Sequence, residues 1–135
     1  MIYSGEKLSK ITHSGWGELE NGFLWSISRY ATFIVPIKKQ TKHFGLQIIV
    51  EPNIYGNLLS DQYLELYCNG LFVLSHHSEA VKQEVLFVEI HPSIAAFGAL
   101  KLDFCFPNAK SPKSLNLSSD ERSLGYKIFE LQIID

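Results

Sequence analysis

Residues 62–74 read Gln62-Tyr63-Leu64-Glu65-Leu66-Tyr67-Cys68-Asn69-Gly70-Leu71-Phe72-Val73-Leu74. Leu64, Leu66 and Cys68 share one face of this run, and Tyr63, Glu65 and Tyr67 share the other. That alternation is the period-two signature of a half-buried strand. Asn69-Gly70 follows at once. A type I′ turn needs positive φ at both central residues, which Asn and Gly tolerate, so the pair marks a hairpin. Residues 71–74 then resume the apolar run as its second strand. The stretch predicts an antiparallel hairpin, and the same pattern recurs along the chain.

Residues 31–37 place Phe33, Val35 and Ile37 on one face, and residues 45–51 place Leu46, Ile48 and Val50 together. Leu86, Val88 and Ile90 align in 84–90, Leu100, Leu102, Phe104 and Phe106 in 99–106, and Phe129, Leu131 and Ile133 in 124–134. With a further strand over 23–28, the pattern predicts about eight antiparallel strands at sandwich or barrel spacing. Residues 92–97 are the one candidate for a helical turn or two, since Pro92 suits a first helical position and Gly98 a stop. A short turn is also expected over 113–123. The expected core comprises Phe33, Val35, Leu46, Ile48, Val50, Leu64, Leu66, Leu86, Val88, Leu102, Phe104, Phe129 and Leu131. The fold class expected is all-β: a two-sheet antiparallel, jelly-roll-like β-sandwich with little helix.

Residues 1–135 read as a single β-sandwich domain, with 1–13 expected to be loosely ordered. A chain of 135 residues buries roughly two-thirds of the surface that its unfolded form exposes. A net charge of −2 supplies no electrostatic attraction to nucleic acid or an anionic membrane. The basic cluster Lys38, Lys39, Lys42 and His43 reads as a solvated hairpin loop. Residues 1–13 carry no apolar signal core and no window has the length of a membrane span, so the expected location is cytoplasmic. Cys68 falls on the core face of its strand and Cys105 on the outer face of another. Two free thiols are expected, which suits a reducing compartment.

No reaction is written in the motifs. His76 and His77 are adjacent and face opposite ways in a strand, and no His-x-His pair exists, so no metal site is expected. A Gly-x-Ser-x-Gly elbow and phosphate-cradling glycine loops are absent; no catalytic residue and no cofactor are expected. The remaining candidates are aromatic. Tyr63 and Tyr67 flank Glu65 on an outer strand face, and Trp16 and Trp25 lie near the first strand. Flat rings beside carboxylates suit a sugar, because the ring covers the apolar face of a pyranose while polar groups bind its hydroxyls. Trp25 reads as core, whereas Trp16 suits a core position and a ligand-facing ring equally well.

The order Gly15-Trp16, Glu18, Gly22 and Trp25, then Asn69-Gly70, then Ser111-Pro112, Leu115, Ser118, Asp120, Arg122 and Leu124-Gly125 carries a likeness over about residues 14–134. It resembles the small jelly-roll, carbohydrate-binding-module-like accessory domains associated with bacterial polysaccharide glycosyltransferases. The resemblance implies a non-catalytic, glycan-related or scaffolding role, with a glycan or a glycosyltransferase as partner; the alternative is a structural or protein-interaction module whose outer face or free edge strands bind a protein partner or a second copy. One departure is that such modules usually hang on a larger enzyme, whereas this sequence contains no second domain. In a jelly roll the first and last strands commonly neighbour each other, which would bring Trp16 and Glu18 near Asp120 and Arg122. The candidate carbohydrate-binding residues are therefore Trp16, Glu18, Tyr63, Glu65, Tyr67, Asp120 and Arg122. For Arg122 the favoured role is a clamp on Asp120, Glu18 or Glu20 that stacks on Trp16. If buried, its removal would cost on the order of 2–4 kcal/mol.

Overall fold

The structure, a computed structural model, describes residues 1–95 and 97–135. The strands are β1 (Ile2–Ser4), β2 (Thr12–Ser14), β3 (Leu24–Trp25), β4 (Tyr30–Pro36), β5 (Phe44–Pro52), β6 (Gln62–Cys68), β7 (Leu71–Ser78), β8 (Glu84–Ile90), β9 (Ala99–Cys105) and β10 (Tyr126–Ile134). One short helix, α1 (Glu6–Lys10), and a 3₁₀ turn over Pro92–Ala95 accompany them. The first sheet runs β1-β10-β5-β8, with β3 also paired to β10; the second runs β2-β4-β9-β6-β7. Every ladder is antiparallel. The chain is thus a two-sheet β-sandwich, as the alternation predicts.

Each strand buries the residues of its apolar face. Phe44, Leu46, Ile48 and Val50 of β5 lie inside, while Gln47, Ile49 and Glu51 between them are half-buried on the outer face. Phe33 and Val35 of β4, Leu64, Leu66 and Cys68 of β6, and Leu100, Leu102 and Phe104 of β9 meet them from the second sheet. Full burial of such a side chain contributes about 1.5–3 kcal/mol. Both cysteines are free, with Cys68 buried and Cys105 half-buried on the outer face.

The hairpin forms as expected, with φ of 49° at Asn69 and 86° at Gly70. The Asn69 side chain also accepts from the Lys101 amide at 2.7 Å and donates to the Ala99 carbonyl at 3.1 Å. The turn is thereby bolted to the neighbouring β9.

Four expectations need correction. Residues 1–13, expected to be loose, build β1, α1 and the start of β2, and Leu8 and Ile11 enter the core. Phe129 is not core. A β-bulge between Ile128 and Glu130 reverses the alternation there, so Ile128, Leu131 and Ile133 point inward while Phe129 packs against Phe23 at 5.6 Å. Val88 is only half-buried. The basic cluster does not close a hairpin: it lies on the connection from β4 to β5, which belong to different sheets. The turn expected over 92–97 is seen as Pro92–Ala95, and Ala96 lies outside the described residues.

A buried polar chain joins the sheets at the β7–β8 flank. Ser78 donates to Glu84 Oε1 at 2.6 Å, so at 2.7 Å the Tyr126 hydroxyl is the donor to Ser78 Oγ. His76 Nε2 meets Glu84 Oε2 at 2.9 Å.

Candidate functional site

Strand register assembles one aromatic and acidic surface on the outer face of the second sheet. Because Leu64, Leu66 and Cys68 are buried, Tyr63, Glu65 and Tyr67 are turned outward. Tyr67 pairs with Asp103 and Glu65 with Cys105 on β9, which in turn pair with Thr32 and Tyr30 on β4. The face therefore carries the row Tyr30, Cys105, Glu65 beside the row Thr32, Asp103, Tyr67. Tyr30 is 69% exposed and Tyr63 is 43% exposed.

The polar groups on this face are ordered by one another. The Tyr67 hydroxyl donates to Glu65 Oε2 at 3.3 Å, and the Thr32 hydroxyl donates to Asp103 Oδ1 at 2.6 Å. The negative charge of Glu65, followed by desolvation, holds the Tyr67 phenol above its ordinary range, so it remains a neutral donor. The Tyr63 ring stacks on His77 at 4.4 Å, and His77 Nε2 lies 3.1 Å from Asp61 Oδ2. Burial first, and then Glu65, raise the Cys105 thiol, and burial pushes Cys68 up to about 11. Neither thiol is activated as a nucleophile. Rings with hydrogen-bonding groups set between them can hold a flat, hydroxyl-rich ligand against the sheet.

The other sequence candidates gather elsewhere. Arg122 Nη2 meets Asp120 Oδ2 at 2.8 Å, its Nε reaches both Asp120 oxygens at 3.1 Å, and its Nη1 meets Glu20 Oε2 at 3.3 Å. These hydrogen bonds hold the Asp120 carboxyl below its usual range. Glu20, not Glu18, is the third member; Glu18 is exposed. Water reaches the clamp, with Arg122 and Glu20 each about two-fifths exposed at 40% and 42%. The buried-pair penalty expected for Arg122 therefore falls to the surface-pair range.

Of the two tryptophans, Trp16 takes the core role and Trp25, expected in the core, does not. Trp16 lies against the core, stacked on Phe33 at 4.3 Å and edge-on to Phe104 at 5.6 Å, with its indole N–H donating to the Thr32 carbonyl at 2.9 Å. Its ring face is taken by Phe33 rather than offered to a ligand. Trp25 sits on the outer side of the first sheet, opposite Lys127. The Lys127 ammonium lies 4.6 Å from the Phe23 ring centroid and 5.2 Å from that of Trp25, so the protein itself covers these rings.

Two other features bear on a ligand. A cleft of about 700 Å³ opens at the opposite end of the sandwich from Arg122, lined mainly by Met1, Tyr3, Pro36, Ile37, Lys38 and Ile133. It contains none of the sequence candidates, and its walls lack the combination of several rings with carboxylates found on the second sheet. Among the described residues, no three His, Cys, Asp or Glu side chains gather into a set that could hold a metal ion. Tyr30 and Asp103 escaped sequence reasoning because long-range pairing alone sets β9 beside β6 and β4 beside β9; the signal available was that both lie opposite core faces in their own strands.

No protein-family model and no curated protein matches the chain. Solved structures do match. A CBM36 domain of a multidomain xylanase from the hindgut metagenome of Trinervitermes trinervoides superposes with a TM-score of 0.61 at 10% identity, covering 100% of this chain and 96% of that one. A family 35 carbohydrate-binding module from Clostridium thermocellum gives 0.60 at 12% identity, covering 100% and 98%. A CBM36 module in complex with calcium and xylotriose gives 0.53 at 11% identity, covering 90% and 89%. At such identities the likeness is one of fold. The chain has the antiparallel β-sandwich fold of these carbohydrate-binding modules.

Proposed function

We propose that the protein is a non-catalytic carbohydrate-binding module whose ligand lies across the outer face of the second sheet. The observation that carries this reading is the register that lines up Tyr30, Tyr63 and Tyr67 with Glu65 and Asp103 on one exposed surface. The fold shared with carbohydrate-binding modules supports it. The rings would cover the apolar faces of sugar residues, and Glu65, Asp103 and the Tyr67 hydroxyl would bond their hydroxyls. A sheet face offers less enclosure than a pocket, so binding is shallow and weak. Asp120 and Arg122 act in this reading as a structural clamp. A glycosyltransferase of bacterial polysaccharide synthesis as partner, implied by the sequence resemblance, and a cytoplasmic location, expected from residues 1–13, form part of the same proposal.

The test is a glycan array followed by titration of the strongest binder against two variants. Tyr30→Ala and Tyr67→Ala should each weaken binding about tenfold. The melting temperature of Tyr30→Ala should stay at the wild-type value, because that ring is largely in water. Unchanged affinity in both variants would remove this face from consideration.

A further inference from the structure

The two flanks of the sandwich end differently. On one flank the outermost strands are β1 and β2, each of three residues. On the other they are β7 and β8, of eight and seven residues. Edges left open in natural proteins are usually blunted by shortness, charged side chains (lysine above all), proline or a bulge. β8, Glu84-Val85-Leu86-Phe87-Val88-Glu89-Ile90, has no lysine, proline or bulge; of its two carboxylates Glu84 is held by Ser78 and His76, which leaves Glu89 as the exposed charge. Its register with β5 is unbroken from Glu84 to Ile90, and among the described residues β5 is its only strand partner. β7 is held differently: a bulge at Val73, opposite Leu66 and Tyr67 of β6, interrupts its ladder, and His76 and His77 tie its far half to Glu84 and Asp61.

The outer face of β8 is also apolar, with Val85 62% and Phe87 56% exposed. The Phe87 ring lies over Gly45 of β5, where a Cβ would stand only 2.5 Å from it. The ring is thus laid along the sheet, and Ile134 and Ile2 extend the exposed apolar band across β10 and β1.

We propose that β8 is a self-association edge: a second copy of the chain pairs with it antiparallel about a two-fold axis at Phe87, joining the two first sheets into one. In this register Phe87 lies opposite Phe87, Val85 opposite Glu89, and Glu84 opposite Ile90. No two carboxylates face each other, whereas an in-register parallel pairing would align Glu84 with Glu84 and Glu89 with Glu89. Residues opposite one another keep the same side of the sheet, so the apolar band continues across the seam. Each copy offers one such edge and the pairing uses both, which closes the assembly at a dimer. β8 belongs to the sheet that does not carry Tyr30, Tyr63 and Tyr67, so both copies keep that face free. Two weak sites on one particle would then gain avidity; that consequence alone rests on the glycan reading.

Sedimentation of the whole chain over a wide concentration range, with amide hydrogen exchange at the two extremes, tests the proposal. The expected result is a monomer–dimer equilibrium in which β8 amides exchange more slowly at high concentration. Val85→Lys and Phe87→Lys should weaken dimerisation about tenfold or more, and Leu71→Lys on β7 should leave it unchanged. Melting curves accompany all three. Should Phe87→Lys unfold, Val85→Lys decides, since Val85 is largely in water. A monomer at every concentration, a dimer insensitive to Val85→Lys, a dimer lost through Leu71→Lys, or growth beyond two copies would each overturn the proposal.

Discussion

Trp16 shows how one side chain's role is set by what packs beside it. The positions near the first strand suggest a buried Trp25 and leave Trp16 open, and the structure buries Trp16 instead. Trp16 follows Gly15, whose φ of 81° and 2.1 Å clearance between a would-be Cβ and the Tyr30 carbonyl let the chain turn the indole onto Phe33. Trp16→Ala should therefore cost about 3–5 kcal/mol, read from the midpoint of urea unfolding. Trp25→Ala removes contacts to Phe23 and Lys127 at the surface and should cost about 1–2 kcal/mol. Arg122→Ala should cost about 1 kcal/mol or less, because solvent screens the clamp, and Arg122→Lys should recover part of that since a point charge lacks the bidentate fork. A loss for Arg122→Ala as large as that for Trp16→Ala would show the clamp to be buried after all.

The strands themselves could be read from the alternation of Leu, Ile, Val and Phe, and all eight expected strands are present. β1 and β2 could not, because three-residue strands are too short to display a period and owe their pairing to β10 and β4. α1 escaped for a similar reason, since five residues hold barely more than one helical turn. The β10 bulge also left no trace in the spacing of Phe129, Leu131 and Ile133. The hairpin was readable because Asn-Gly is a local requirement of backbone geometry. Asn69 does more than turn the chain, however, and its bonds to β9 were not visible locally. Asn69→Ala loses those bonds and forces a Cβ-bearing residue without a compensating side chain into positive φ. It should cost about 2–3 kcal/mol, visible as a lower denaturation midpoint.

The packed sandwich as a whole determines how the protein responds to alkali. Burial raises the Cys68 thiol from 9.0 to about 11, and burial likewise raises the Tyr126 phenol. The unfolded chain then releases protons that the folded chain retains, so stability is fully present below about pH 9 and falls as pH rises toward about 11. Cys68→Ala should flatten the onset of that fall in pH-dependent melting curves, although the smaller side chain lowers stability at neutral pH. The sheet face assigned to glycan was half readable: Tyr63, Glu65 and Tyr67 share one strand, whereas Tyr30 and Asp103 join them only once the second sheet is paired. The most direct measurement is a map of backbone amide chemical-shift changes on adding a bound oligosaccharide, with xylotriose as the first probe and the strongest array binder as the second. Binding on the second sheet would concentrate the changes on β4, β9 and β6 around Tyr30, Asp103, Glu65 and Tyr67. Changes concentrated at the cleft of Met1, Ile37 and Ile133, or around Asp120 and Arg122, or no binding by any glycan on the array, would contradict it.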